Sequence, residues 1–159
     1  MDKNALIRSI LDQLEAELRL QTEAAKGSRE EATDEESRAE DRYDMRSQSA
    51  AYLAAGQAQL ATEIAGSITA WRALSPRPFG PVDTIAMGAL VTLEAEGRVG
   101  AYLVGPQSGG LVAADGDFSA TVVTSASTLG RQLVGRKAGD VLQIAARLGP
   151  VPHRVVSVE

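Results

Sequence analysis

Two runs of large apolar residues at helical spacing, separated by a stretch that has none, constrain this chain more than any other feature. From Asn4 the first run falls at Ile7, Leu11, Leu14 and Leu18, in alternating steps of four and three, and Leu6 and Ile10 widen it. That is the seam spacing of a coiled coil, so the first helix has one face to bury and needs a partner. The second run, Tyr52, Leu53, Leu60, Ile64, Ile68, Trp71 and Leu74, supplies it, and Ser75-Pro76-Arg77-Pro78 stops the helix. Antiparallel pairing of the two places the reversal near Ala39, with arms of about 30 residues, roughly 45 Å at the helical rise. Such an arm is too long to fold back on a domain of about 80 residues and is expected to project from it.

Between Lys26 and Arg42 there is no large apolar residue. Residues 27 to 46 carry eight acids (Glu30, Glu31, Asp34, Glu35, Glu36, Glu40, Asp41, Asp44) against Arg29, Arg38, Arg42 and Arg46. The reversal is therefore expected to be an acidic tip with little core. Ser28-x-x-Glu31 and Thr33-x-x-Glu36 are both capping-box patterns, and Gly27 is an alternative end for the first helix, so the turn has several candidate positions. A lone acidic run is ordinarily a solvated helix face. An acidic cluster at a helix reversal lacks that explanation, which makes it a candidate site.

After Phe79-Gly80-Pro81 the pattern turns to short β-rich runs at Ala89 to Glu94, Gly100 to Val104, Ala120 to Thr124, Val141 to Ala145 and Arg154 to Val158. Between the third and fourth, Ser127 or Thr128 caps a short helix with Leu129, Leu133 and Val134 on its apolar face and Gly135 at its end. The fold class is α+β. An N-terminal antiparallel coiled-coil hairpin (1–75) is followed by a linker (76–81) and a small twisted antiparallel sheet domain with one short helix (82–159).

Several function classes are excluded. With no cysteine there is no disulfide framework or thiolate metal site, and the single His153, flanked by Pro152 and Arg154 on an exposed strand edge, makes neither a histidine-rich metal site nor a convincing base for a serine nucleophile. A net charge of -5 disfavours direct or sequence-specific DNA binding. No stretch approaches the roughly 18 apolar residues of a membrane span, and Met1-Asp2-Lys3-Asn4 does not open a secretory signal, so a cytoplasmic protein is expected. Gly130 to Gly135 has phosphate-loop spacing without the Gly-Lys-Ser/Thr ending.

The stretch Ser125-Ala126-Ser127-Thr128-Leu129-Gly130-Arg131-Gln132-Leu133-Val134-Gly135-Arg136-Lys137-Ala138-Gly139-Asp140 resembles the "SPLGRALLGKKVGD" phrase of the Gre transcript-cleavage factors, with two departures near its start. Met87 to Glu94 and Tyr102-Leu103-Val104-Gly105-Pro106 are also similar to phrases of that family, so the likeness spans most of residues 82 to 158. It implies an FKBP-like C-terminal domain and a partner, bacterial RNA polymerase, whose secondary channel receives the hairpin. It also implies a non-enzymatic transcription elongation factor that stimulates the polymerase's own cleavage of backtracked RNA. Arg131, Arg136 and Lys137 then become candidate contacts at the channel rim.

In the hairpin the family's "GDLxENAEY" fits in two registers. Laid on Tyr52, it puts Met45 and Gln48 where the family has metal-binding acids. Shifted onto Glu40-Asp41-Arg42-Tyr43-Asp44, it makes Asp41 and Asp44, with Glu40 in reserve, the ligands of a Mg2+ ion shared with the polymerase. The first register implies a channel-binding modulator or inhibitor without cleavage. A prolyl isomerase, suggested by an FKBP-like fold, needs an aromatic-lined pocket, and after residue 80 only Tyr102 and Phe118 are aromatic. A coiled-coil oligomeriser is disfavoured because the hairpin pairs its own seam, which leaves a monomer as the expectation.

Overall fold

A computed structural model describes residues 2–33, 45–80, 82–147 and 149–159. The elements are α1 (Lys3–Thr33), α2 (Met45–Ala73), β1 (Leu90–Ala95), β2 (Arg98–Gly105), β3 (Val112–Asp115), β4 (Phe118–Thr124), α3 (Thr128–Leu133), β5 (Val141–Ala146) and β6 (Gly149–Val158). The protein is α+β, with two N-terminal helices followed by a six-stranded sheet. At 31 and 29 residues, the helices match arms of about 30. Helix α1 runs unbroken through Gly27 and Ser28, and the expected reversal at Ala39 lies outside the described residues. The chain divides into two compact units, residues 12–69 and residues 1–11 with 70–159.

In the helical unit, α1 covers Leu14, Leu18, Gln21, Ala25 and Ser28, and α2 covers Ala50, Ala54, Gln57, Ala61, Ile64 and Ile68. Both sets step by four and three, so each helix buries one narrow seam. The seam changes character along its length: Leu14, Ile64 and Ile68 give way to alanine and to a hydrogen bond in which Ser28 Oγ donates to Gln57 Oε1 at 3.0 Å. Three residues expected in the seam are outside it, Tyr52 being 80% exposed, Leu53 56% and Leu60 41%. The physical reason is register. The run Ala50, Ala54, Gln57, Ala61 is in phase with Ile64, Ile68 and Trp71, whereas Tyr52, Leu53 and Leu60, though larger, are displaced round the helix.

The sheet order is β3-β4-β2-β1-β6-β5. It is mixed rather than antiparallel, because β2 and β4 pair in parallel (Tyr102 with Thr121, Val104 with Val123). The sequence reading missed β3, whose Val112-Ala113-Ala114-Asp115 has little β propensity, and the missing strand explains the error. The chain leaves β2, forms the outer β3, and returns through a two-residue turn with Gly116 at φ +59°, which puts β4 beside β2 with the same direction. Strand β6 also begins earlier than expected. Pro150 and Pro152 lie on the part of β6 beyond its last pairing with β1 (Glu94 with Arg154), where β5 is its only neighbour, so a missing N–H is tolerated there. His153 lies on that same part, where it pairs with Leu142 of β5 and has no partner on β1; it is half-buried rather than exposed, and its Nδ1 is 2.9 Å from the Val151 carbonyl.

Both faces of the sheet are covered, as the consecutive buried pair Leu90 and Val91 requires. One face packs Val91, Leu93, Val104, Val123, Leu142 and Val155 under Phe79, Ile85, Ala89 and Leu133. On the other, Trp71, wholly buried, lies against Gly105, with Leu6 and Ile10 equally inaccessible. The outer edge at β3 is held by the start of α1, where the Ala114 amide donates to Ser9 Oγ at 3.2 Å.

Candidate functional site

The segment most similar to a known phrase, residues 125–140, is built on one short helix whose start is fixed chemically. Ser127 is the N-cap of α3, and its Oγ accepts from the Gly130 amide at 3.0 Å. The same hydroxyl donates to the Thr124 carbonyl at 2.8 Å, tying the helix to the end of β4. Gly130 has no alternative there: a Cβ would lie 1.9 Å from Thr124 O, inside any contact distance, so the helix crosses β4 backbone against backbone. Leu133 anchors the helix in the core at 0% exposure, and Gly135, at φ +84°, turns the chain away. Val134, expected on the buried face, is 43% exposed because it is the C-cap and no longer helical.

From that frame project the cations expected to contact a partner. Arg131, Arg136 and Lys137 are all exposed. Arg131 Nη1 donates to the Ala126 carbonyl at 2.5 Å, which holds its guanidinium over the helix start. The backbone under Arg136 is pinned to β1's approach: the Ile85 amide donates to the Arg136 carbonyl at 2.7 Å and the Gly135 amide to the Ile85 carbonyl at 2.8 Å. The Lys137 amide donates to Asp140 Oδ2 at 3.1 Å, closing the following turn. Thus the backbone of the patch is tied down by hydrogen bonds while its charged ends reach solvent. For an acidic chain, this is a localised cationic surface.

Asp41, Asp44 and Glu40, the expected metal ligands, lie outside the described residues, as do the other acids between 34 and 44. Met45 belongs to the first turn of α2, and Gln48, Tyr52 and Leu53 are exposed on the same helix. Among the described residues, no three His, Asp or Glu side chains stand together as a metal site.

A concave feature not visible in the sequence lies on the sheet: an open trough of about 450 Å³ lined by Leu93, Arg98, Tyr102, Ile144, Val151 and His153, among others. Its only aromatic is Tyr102, whose ring lies over Gly100. A trough with one aromatic wall does not supply the enclosure expected of a prolyl-isomerase pocket.

Glu94 and Arg154 form a cross-strand pair at 3.1 Å on the opposite side of the sheet from Leu93. The Arg154 guanidinium, helped by the Gly97 amide, holds the Glu94 carboxyl below its ordinary pKa.

Among solved structures, the chain is similar to GreA factor homolog 1 (Gfh1) of Thermus thermophilus at 20% identity, covering 94% of each chain with a TM-score of 0.39. It is similar to Gfh1 of Thermus aquaticus at 24% identity, covering 98% of this chain and 95% of that one, with a TM-score of 0.41. A Nitrosomonas europaea protein described as a prokaryotic transcription elongation factor GreA/GreB is 20% identical over 65% of this chain and 78% of its own, with a TM-score of 0.39. No protein-family model and no curated protein matches the chain.

Proposed function

We propose that this protein is a transcription elongation factor that docks on bacterial RNA polymerase, with the sheet domain as anchor and the helical pair as the element that enters the secondary channel. The observation that carries this reading is the segment 125–140. Its Gre-like sequence coincides with a Ser127-capped, Gly130-dependent helix that leaves Arg131, Arg136 and Lys137 exposed toward an acidic surface. Such a patch contributes orientation and association rate through complementary charge. The factor is not itself an enzyme in this reading, and its place of action is the cytoplasm.

The chemistry would take place at the polymerase. Nucleotidyl hydrolysis is helped by two cations about 4 Å apart, one at the attacking and one at the leaving oxygen. Carboxylates supply the hard oxygen ligands that magnesium prefers. In the proposed register, Asp41 and Asp44, with Glu40 in reserve, present those ligands from the connection between α1 and α2, so that backtracked RNA is cut by the polymerase's own centre. A second reading retains docking and drops cleavage, and it is favoured by Met45 and Gln48 at the places of the family's acids when the register is set by Tyr52.

Stalled elongation complexes separate the two. RNA shortening by the native protein that is lost in Asp41→Ala and Asp44→Ala supports the cleavage factor. Binding without shortening leaves the modulator, and no binding of polymerase core overturns both.

A further inference from the structure

Four features of the helical unit coincide at one level. Ser28 Oγ donates to Gln57 Oε1 at 3.0 Å, which fixes the register of α1 against α2 at that point. Gly27, the one glycine of α1, and Gly56 each directly precede a partner of that bond. Both are exposed, and a Cβ at either would meet nothing within 4 Å, so nothing in the packing requires glycine at positions where it weakens a helix. Gly27-Ser28 is also a glycine–serine pair, one of the few sequence features at which α-helices bend sharply. The seam loses its large side chains at the same level: Leu14, Ile64 and Ile68 are buried on the side of Asp12 and Thr69, whereas on the far side α2 contributes Ala50 and Ala54. Beside the bond, an open groove of about 580 Å³ reaches from Ala25 and Ala58 on one side of it to Arg29 and Ala51 on the other, which leaves the two helices room to move.

We propose that this level is a joint, at which the far part of the helical pair, residues 29–33 and 45–55, opens as one unit while the root, residues 12–26 and 58–69, stays zipped. The two glycines lower the cost of leaving helical geometry on both helices at the same height, whereas one alone would act on a helix still held by an intact partner. Beyond them the alanine seam has little apolar area with which to hold the far part closed. Closure therefore leans on the Ser28–Gln57 bond, a latch between neutral groups that water can replace. Gly66 shows that a helical glycine does not by itself make a joint. It too is exposed with open space at its Cβ, but it stands between the buried Ile64 and Ile68, and α1 has no second glycine to face it. The joint does not rest on the docking reading; on that reading, it would let the acids of residues 34 to 44 be re-aimed without disturbing the sheet unit.

The test is amide hydrogen exchange of the full chain, read by mass spectrometry without polymerase, so that its outcome is separate from that of the docking reading. Peptides within 45–55 should share one opening equilibrium and exchange at least about tenfold faster than peptides within 58–69, with a step at Gly56. Gly27→Ala combined with Gly56→Ala should slow the far peptides about 20-fold, the product of two helix-interior glycine penalties. Gly66→Ala makes the same chemical change on the root side. It should slow the root peptides about fivefold and leave the far ones unchanged, because the far part opens without the root. Ser28→Ala removes the latch and should speed the far peptides, although alanine is the better helix former. One rate on both sides of Gly56, or a gradient without a step, overturns the joint. So do far peptides that Gly66→Ala slows as strongly as Gly56→Ala does, that the double alanine variant leaves unchanged, or that exchange no faster after Ser28→Ala.

Discussion

Replacing Gly105 by alanine should destabilise the sheet unit through one contact, and the sign of the effect is the point of the experiment. In open space the substitution is favourable, because alanine has less backbone freedom to lose on folding, and about 0.4–1 kcal/mol of stabilisation is expected. Here the added Cβ would lie 2.4 Å from both Cη2 and Cζ2 of Trp71 and 3.1 Å from Cγ1 of Val122. Carbon atoms in contact sit about 3.5–4.0 Å apart, so the indole must retreat by more than an ångström. Trp71 is completely buried and has no slack, which places the cost at the upper end of the overpacking range, about 3 kcal/mol. For a unit of about 100 residues that is a fall in melting temperature on the order of 12–24 °C. Trp71 is the only tryptophan, so its fluorescence reports the displacement directly, and calorimetry reports the cost. The cycle closes with Trp71→Ala, itself costing about 3–5 kcal/mol, in whose background Gly105→Ala should become neutral or favourable. A single Gly105→Ala variant as stable as the native protein, with unshifted emission, would refute the packing argument.

Three further outcomes are expected. Ser127→Ala removes the oxygen that accepts from the Gly130 amide and should cost about 1 kcal/mol, measured by urea denaturation. Gly130→Ala drives a Cβ into the Thr124 carbonyl and should displace α3, so that polymerase binding, followed by surface plasmon resonance, falls far more than it does with Arg136→Ala alone. Glu94 has a lowered pKa from its bond to Arg154, so its contribution is present above the ordinary carboxylate range and is lost as pH falls through the depressed value. The penalty of Arg154→Ala should therefore be measurable near pH 7 and vanish at about pH 2, and an equal penalty at both would contradict the pairing.

Much of this arrangement was legible because the relevant physics is local. Ser127-Thr128 before Leu129-Gly130 offers a cap by chemistry alone, of which the fold uses Ser127, and the prolines after Leu74 end α2 wherever the helix packs. What could not be read depended on partners remote in sequence. Strand β3 exists because Val112 to Asp115 pairs with β4 and is covered at its edge by Ser9, and neither neighbour is implied by its own composition. The direction of β4 followed from β3 and was lost with it. Gly105 and Gly130 look alike as isolated glycines; only the Trp71 ring and the Thr124 carbonyl show that both positions exclude a side chain.

The helical pair shows the same division in a form that bears on function. Apolar periodicity located both helices, but it ranked residues by size, and the seam of α2 is chosen by phase: Ala50, Ala54 and Ala61 are in it, and Tyr52, Leu53 and Leu60 are out. A seam of small residues lets two helices lie close, and it leaves the large ones outside. Residues 34 to 44 carry the acids on which cleavage would depend, whereas Tyr52 and Leu60 lie on the exposed side of the described part of α2. Replacing Asp41 and Asp44 should abolish RNA shortening while leaving the binding of polymerase core unchanged, because the docking cations Arg131, Arg136 and Lys137 belong to the sheet unit.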